Sequence, residues 1–146
     1  MRSLGLDVGD ARIGVALSDE TATLASGILT LPRVGPRRDV RAIAALVEER
    51  GAGEVVVGVP WRPDGSLGPQ GEKVMAFVEA LRRRLRVPVV TWDERFSTVV
   101  ADERLAEAGV RRRERKARID RAAATVMLQG YLDARSAAVP LRGTHG

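Results

Sequence analysis

Leu4-Gly5-Leu6-Asp7-Val8-Gly9, followed by Gly14-Val15-Ala16-Leu17-Ser18-Asp19, is the stretch that decides the fold. Both halves read as buried strands joined by a tight turn that carries glycine. Asp7 puts a carboxylate inside the first of them. Burying a charge is costly unless the group is paired, hydrogen-bonded or bound to a cation, so an acid among core-forming residues marks a candidate site. The plainer alternative is a carboxylate that caps the turn by accepting nearby backbone N–H groups, although Gly9 already supplies the turn.

Working outward, residues 27–31 read as a third strand ended by Pro32, so the chain opens with three consecutive strands and an antiparallel start. Asp39 is the expected N-cap of a helix in which Val40, Ile43, Ala44 and Val47 recur at helical spacing, with a stop near Gly51. Glu54-Val55-Val56-Val57-Gly58-Val59 is the apolar run of a strand covered on both faces, and Pro60 ends it. Val74, Phe77, Val78, Leu81 and Leu85 mark a second helix, and residues 87–92 a fifth strand. Ser97 is the expected N-cap of a further helix. Asp120 is expected to open the last one, whose apolar positions Ile119, Ala123 and Val126 are expected to face the core. Three strands followed by βαβα alternation predict an α/β protein with a mixed five-stranded sheet flanked by helices. The ribonuclease H-like architecture has this order.

With 146 residues, 45% of them apolar and 29% charged, the chain suits one globular domain with a radius of gyration of about 15 Å. That domain is expected over residues 1–138, with residues 139–146 as a flexible tail. There is no apolar run of membrane-spanning length, and Asp7 interrupts the place where a signal peptide would continue its apolar core, so a cytoplasmic protein without a membrane partner is expected. Cysteine is absent, which excludes disulfides, thiolate metal sites and a cysteine nucleophile. The one histidine, His145, stands next to the final residue, which leaves no histidine for a triad or a metal site in the core. Oxygen chemistry remains.

Charge is concentrated. Arg111, Arg112, Arg113, Glu114, Arg115, Lys116, Ala117 and Arg118 carry a net +5, equal to the formal charge of the whole chain. Such a cluster suits phosphate contacts, each of which releases counterions, although a solvated helix end would look the same. Arg12 and Arg95, beside the acids, belong with it as candidate phosphate contacts.

Ligands in open α/β sheets gather at the carboxyl ends of strands. Two further acids are expected there, in Asp93-Glu94 after the fifth strand and in Asp120. Asp7, Glu94 and Asp120, drawn from separate elements, can converge on hard divalent cations through oxygen alone. Taken one at a time, each has an ordinary reading as a helix cap or a surface ion pair.

Four ordered motifs carry a resemblance. They are the opening from Asp7 through Gly9, Asp10, Arg12 and Gly14 to Ala16; Gly58-Val59-Pro60 with the loop Asp64-Gly65-Ser66; Asp93-Glu94-Arg95-Phe96-Ser97-Thr98; and Ile119-Asp120 through Ala123 to Gln129. Together they resemble the YqgF/RuvX family over nearly the full chain. That family is similar to the RuvC Holliday junction resolvases and has a ribonuclease H-like fold. The resemblance implies a metal-dependent nuclease using Mg²⁺ or Mn²⁺, with two proposed substrates, the 5′ end of precursor 16S ribosomal RNA and four-way DNA junctions, and it raises the expectation of a homodimer. Position by position it puts Asp7 and Asp120 in the metal site, with the middle acid supplied by Asp93-Glu94. Strand alternation favours Glu94, with Asp93 in reserve should the strand end bend. Trp61 stands where the family often has a smaller residue, and reads either as a base-stacking platform or as a cover for the core. The loop from Pro63 to Pro69 is open between a mobile flap and a passive turn. The opening motif alone also fits half of an actin-like or sugar-kinase ATPase, and a non-catalytic RNA- or ribosome-binding factor would keep the same acids without turnover.

Overall fold

The computed structural model describes residues 1–94 and 112–145, with side chains described over 1–94 and 119–136. Ser97, Arg95 and Arg111 lie outside the described residues.

Five strands, β1 (Arg2–Val8), β2 (Arg12–Ser18), β3 (Ala25–Pro32), β4 (Ala52–Val59) and β5 (Val89–Asp93), form one sheet in the order β3-β2-β1-β4-β5. β1 pairs antiparallel with β2 and parallel with β4, and β5 runs parallel to β4. The mixed sheet expected from the sequence is present. Leu4, Leu6 and Val8 face one way, with Ile13, Val15 and Leu17 of β2 and Val55, Val57 and Val59 of β4. They form the larger core with α1 (Pro36–Arg50) and α2 (Pro69–Arg84). The other face carries Ala16, Val56 and Trp92 against Ala124, Met127, Leu128 and Leu132 of α3 (Arg112–His145). Side chains alternate along a strand, so Ser3, Gly5 and Asp7 of β1 stand on this second face, as do Arg12 and Gly14 of β2. Small and polar residues there let α3 lie close to the sheet.

Three local expectations are corrected. Asp39 is not the N-cap of α1. Gly35, at φ 140°, takes that place, and Pro36 starts the helix with its φ already helical and no N–H to satisfy. Asp39 sits in the first turn, buried, and accepts the Val34 N–H at 3.0 Å and Arg33 Nε at 2.8 Å, which ties the preceding loop to the helix. Asp120 does not open the last helix. The helix as described already includes Arg112, so residues 112–118 of the basic run belong to it rather than to a separate segment, because arginine, glutamate, lysine and alanine all favour helix and no breaker separates them from Asp120. β3 and β4 each begin two residues earlier than expected, both strands extending at the edge away from Asp7. α3 as traced runs to His145, through the segment expected as a tail. Among the described residues, no helix is long and apolar enough to cross a membrane.

Trp61 is half-buried and packs against the larger core, where its backbone bridges to Leu67. The loop between them is closed by its own bonds. Arg62 N–H donates to Ser66 O, Gly65 N–H donates to Arg62 O, and the Asp64 carboxylate accepts both the N–H and the hydroxyl of Ser66. This is an Asx-type turn held by local contacts.

Candidate active site

Asp7 lies one residue from the carboxyl end of β1, and Glu94 just beyond the end of β5. β4 runs between them, so at about 4.8 Å per strand spacing the two backbones are about 10 Å apart. The Glu94 side chain covers that distance, and its carboxyl is hydrogen-bonded to Asp7. Gly58 on β4 makes the crossing feasible. A Cβ there would stand 2.6 Å from both Cγ and Oε1 of Glu94, closer than real contacts allow. Glycine inside a strand often marks such a close approach.

Asp120 comes from the opposite direction, on the second face. Its position depends on Gly14, the β2 residue paired with Asp7. A Cβ on Gly14 would lie 1.9 Å from the Asp120 carbonyl oxygen, so only glycine lets the α3 backbone rest there. Asp120 is near enough to Asp7 for its negative charge to act on it.

The electrostatics follow from this crowding. Burial pushes Asp7 above the usual carboxylate range, and the charge of Asp120 adds to the effect, while the hydrogen bond from Glu94 opposes it. Glu94 is pushed up to about 9 by burial first, then by its hydrogen bond to Asp7 and by the charges of Asp7 and Asp93. At neutral pH, Glu94 is therefore the protonated partner and donates to the Asp7 carboxylate. Two carboxyls sharing one proton is what like charges in a poorly solvated site produce.

Of the adjacent acids, Glu94 is the one that bonds Asp7. Asp93 ends β5 and acts on Glu94 through its charge. Arg12, expected to contact phosphate, donates from Nε to Asp120 Oδ2 at 2.6 Å, with the two side chains 35% and 23% exposed. The backbones of Arg112, Arg113, Arg115, Lys116 and Arg118 occupy the start of α3. Among the described residues, no three acidic or histidine side chains are gathered tightly enough to cage a metal ion as they stand. One Asp120 oxygen is engaged by Arg12, and the Asp7 and Glu94 carboxyls are hydrogen-bonded to one another. The donor chemistry nonetheless fits a hard cation, being all oxygen, and a cation there would relieve the repulsion that the proton now relieves.

Sequence reasoning assigns Gly14 and Gly58 no role of their own. Their signal was a glycine in mid-strand, one paired with the suspect acid and the other on the strand that separates it from its partner.

A family model described as "RuvX: Holliday junction resolvase" matches residues 1–134. A protein named "Putative pre-16S rRNA nuclease" from Caldanaerobacter subterraneus subsp. tengcongensis is 52% identical over 134 residues, covering 91% of this chain and 96% of that protein. One of the same name from Clostridioides difficile is 47% identical over 132 residues, covering 90% and 94%. Among solved structures, Thermus thermophilus RuvC in complex with Holliday junction substrate matches with a TM-score of 0.55 at 17% identity, over 93% of this chain and 96% of that one. The fowlpox virus resolvase with Holliday junction DNA matches at 0.57 and 12%, over 92% and 98%. These structural likenesses are of fold, and the fold is the ribonuclease H-like one.

Proposed function

We propose, from the premise that the chain belongs to the RuvX Holliday junction resolvase family, that it is a nuclease that hydrolyses phosphodiester bonds in structured nucleic acid. Asp7, Glu94 and Asp120 would hold Mg²⁺ or Mn²⁺. The observation that carries this reading is the hydrogen-bonded, half-buried Asp7–Glu94 carboxyl pair, with the charge of Asp120 bearing on it. Such repulsion is a cost to the fold that a divalent cation offsets.

When bound, the cation supplies activation of water and stabilisation of charge on the leaving oxygen. The chain's own residues do the rest. With a cation bound, Glu94 would serve as a carboxylate ligand, its proton passing to solvent. Asp120 would help hold the cation, and Arg12, which bonds Asp120 and is a third exposed, would be placed to bond a phosphate oxygen. The basic first turns of α3, which begin two turns before Asp120, would attract the backbone of the substrate.

The match over residues 1–134 supports this reading over half of an ATPase cleft. The substrate is the 5′ leader of precursor 16S ribosomal RNA, the four-way DNA junction, or both; the names of the 44–52% identical relatives favour the RNA. Cleavage of the two by purified protein with Mg²⁺ or Mn²⁺ tests it, with Asp7→Asn as control. Cuts that need the cation and vanish in the control are expected. Tight binding of either substrate with no cut by the wild-type protein would favour a non-catalytic assembly factor instead.

A further inference from the structure

On the sheet face opposite Asp120, the first half of α1 and the last turn of α2 enclose an open groove of about 620 Å³. Its floor includes Val40 and Ala80, and its walls carry Arg37, Arg41, Arg83 and Arg84, with no acidic residue lining it among the described residues. None of these four makes an ion pair with any described residue. Arg82 next to them is different. It donates to Glu79 and to the Val89 carbonyl and so has a structural task.

Helix stability does not explain the α1 pair. Arg37 and Arg41 occupy the first two turns, where the helix dipole disfavours positive charge, and at four residues apart they repel one another. Arg83 and Arg84 suit the dipole at the end of α2, yet they bring two more positive charges to the same groove. Four guanidinium groups that face one concavity and pair with no acid among the described residues are relieved by a polyanion.

We infer that this groove is a second nucleic-acid contact, separate from the carboxylate site, which grips the phosphate backbone of a double-helical arm. The choice of nucleic acid as the occupant rests on the nuclease reading. A duplex fits better than a single strand because, among the described residues, no aromatic side chain lines the groove to stack on unpaired bases, whereas guanidinium forks bond phosphate oxygens in pairs.

The test is binding of a short blunt RNA duplex, followed by fluorescence anisotropy in chelator across a salt series. The variants are Arg37→Gln with Arg41→Gln, Arg83→Gln with Arg84→Gln, and Arg50→Gln, an exposed arginine of α1 outside the groove, as control. Each groove pair is expected to weaken binding roughly tenfold and to reduce the slope of log K against log salt by about 2, while Arg50→Gln leaves both unchanged. Thermal melts of the same variants confirm that they are folded. Unchanged affinity and slope in the groove variants would overturn the inference, as would an equal loss with Arg50→Gln or preferential displacement of the duplex by polyglutamate. Groove-dependent binding by a protein that cuts nothing would leave the groove standing and remove the nuclease reading. Cleavage with groove-independent binding would do the reverse.

Discussion

Glu94 reaches across β4 to donate its carboxyl proton to Asp7 on β1, so two acids 87 positions apart in the chain titrate as one pair. Because the folded protein holds this proton up to about pH 9, against an ordinary value of 4.5, it binds more protons than the unfolded chain between those values. The associated stabilisation is complete below about 4.5 and is lost as pH rises through 9. Without divalent cations, the melting temperature should therefore fall from pH 5 to pH 9 by more than the ~2–4 °C that corresponds to ~1 kcal/mol. Glu94→Gln should flatten the decline. A flat wild-type profile in calorimetry would contradict the shared proton.

A cation that replaces the proton should reverse this loss. At one hundred times its dissociation constant, Mg²⁺ or Mn²⁺ is worth ~2.7 kcal/mol, or about 5–10 °C. Scanning calorimetry should show the shift in wild type at pH 8 and not in Asp7→Asn, which removes the central ligand charge. An equal shift in both proteins would place the cation elsewhere.

The two glycines should fail differently. Gly14→Ala sets a methyl group against the α3 backbone, which cannot swing aside, and should cost ~3 kcal/mol or more. Gly58→Ala meets only the Glu94 side chain, so urea melts should show a loss of ~1–2 kcal/mol while cleavage falls by a hundredfold or more. Equal stability losses with intact cleavage would mean that Glu94 does not need its path over β4.

At the far end of the same face, Glu54, 5% exposed, accepts bonds from Ser3 Oγ, Tyr131 OH and Arg135 Nη1. These bonds fasten the later turns of α3 to β1 and β4. Tyr131→Phe should lower stability by ~1 kcal/mol and the melting temperature by about 2–4 °C, with the cleavage rate within twofold of wild type. A collapse of cleavage would show that this end of the helix controls the position of Asp120.

Much of the arrangement was legible because strands and helices have different periods. The apolar alternation of β1 and β2 and the continuous run of β4 disclosed the sheet, and placing Asp7 within that pattern pointed to the candidate site. Other features were hidden for physical reasons. The start of α1 depends on Gly35 adopting a positive φ, which made Asp39 look like the cap when it is a buried brace for Arg33 and Val34. The join of the basic run to α3 was missed because a charged helix turn carries no apolar stripe. Arg12 reads as a free phosphate ligand in sequence, and only the packing of α3 over β2 reveals that it holds Asp120.

The claim that Asp7 and Glu94 serve one cation-dependent centre is tested most directly by a double-mutant cycle on the cleavage rate. Purified wild type, Asp7→Asn, Glu94→Gln and the double variant would be compared on the four-way junction and the ribosomal RNA leader at saturating Mn²⁺. Each single change should cost at least ~10³-fold, about 4 kcal/mol of barrier, and the double should cost no more than the worse single, because the acids act as a unit. Multiplying losses, or an Asp7→Asn enzyme that still cuts, would contradict it.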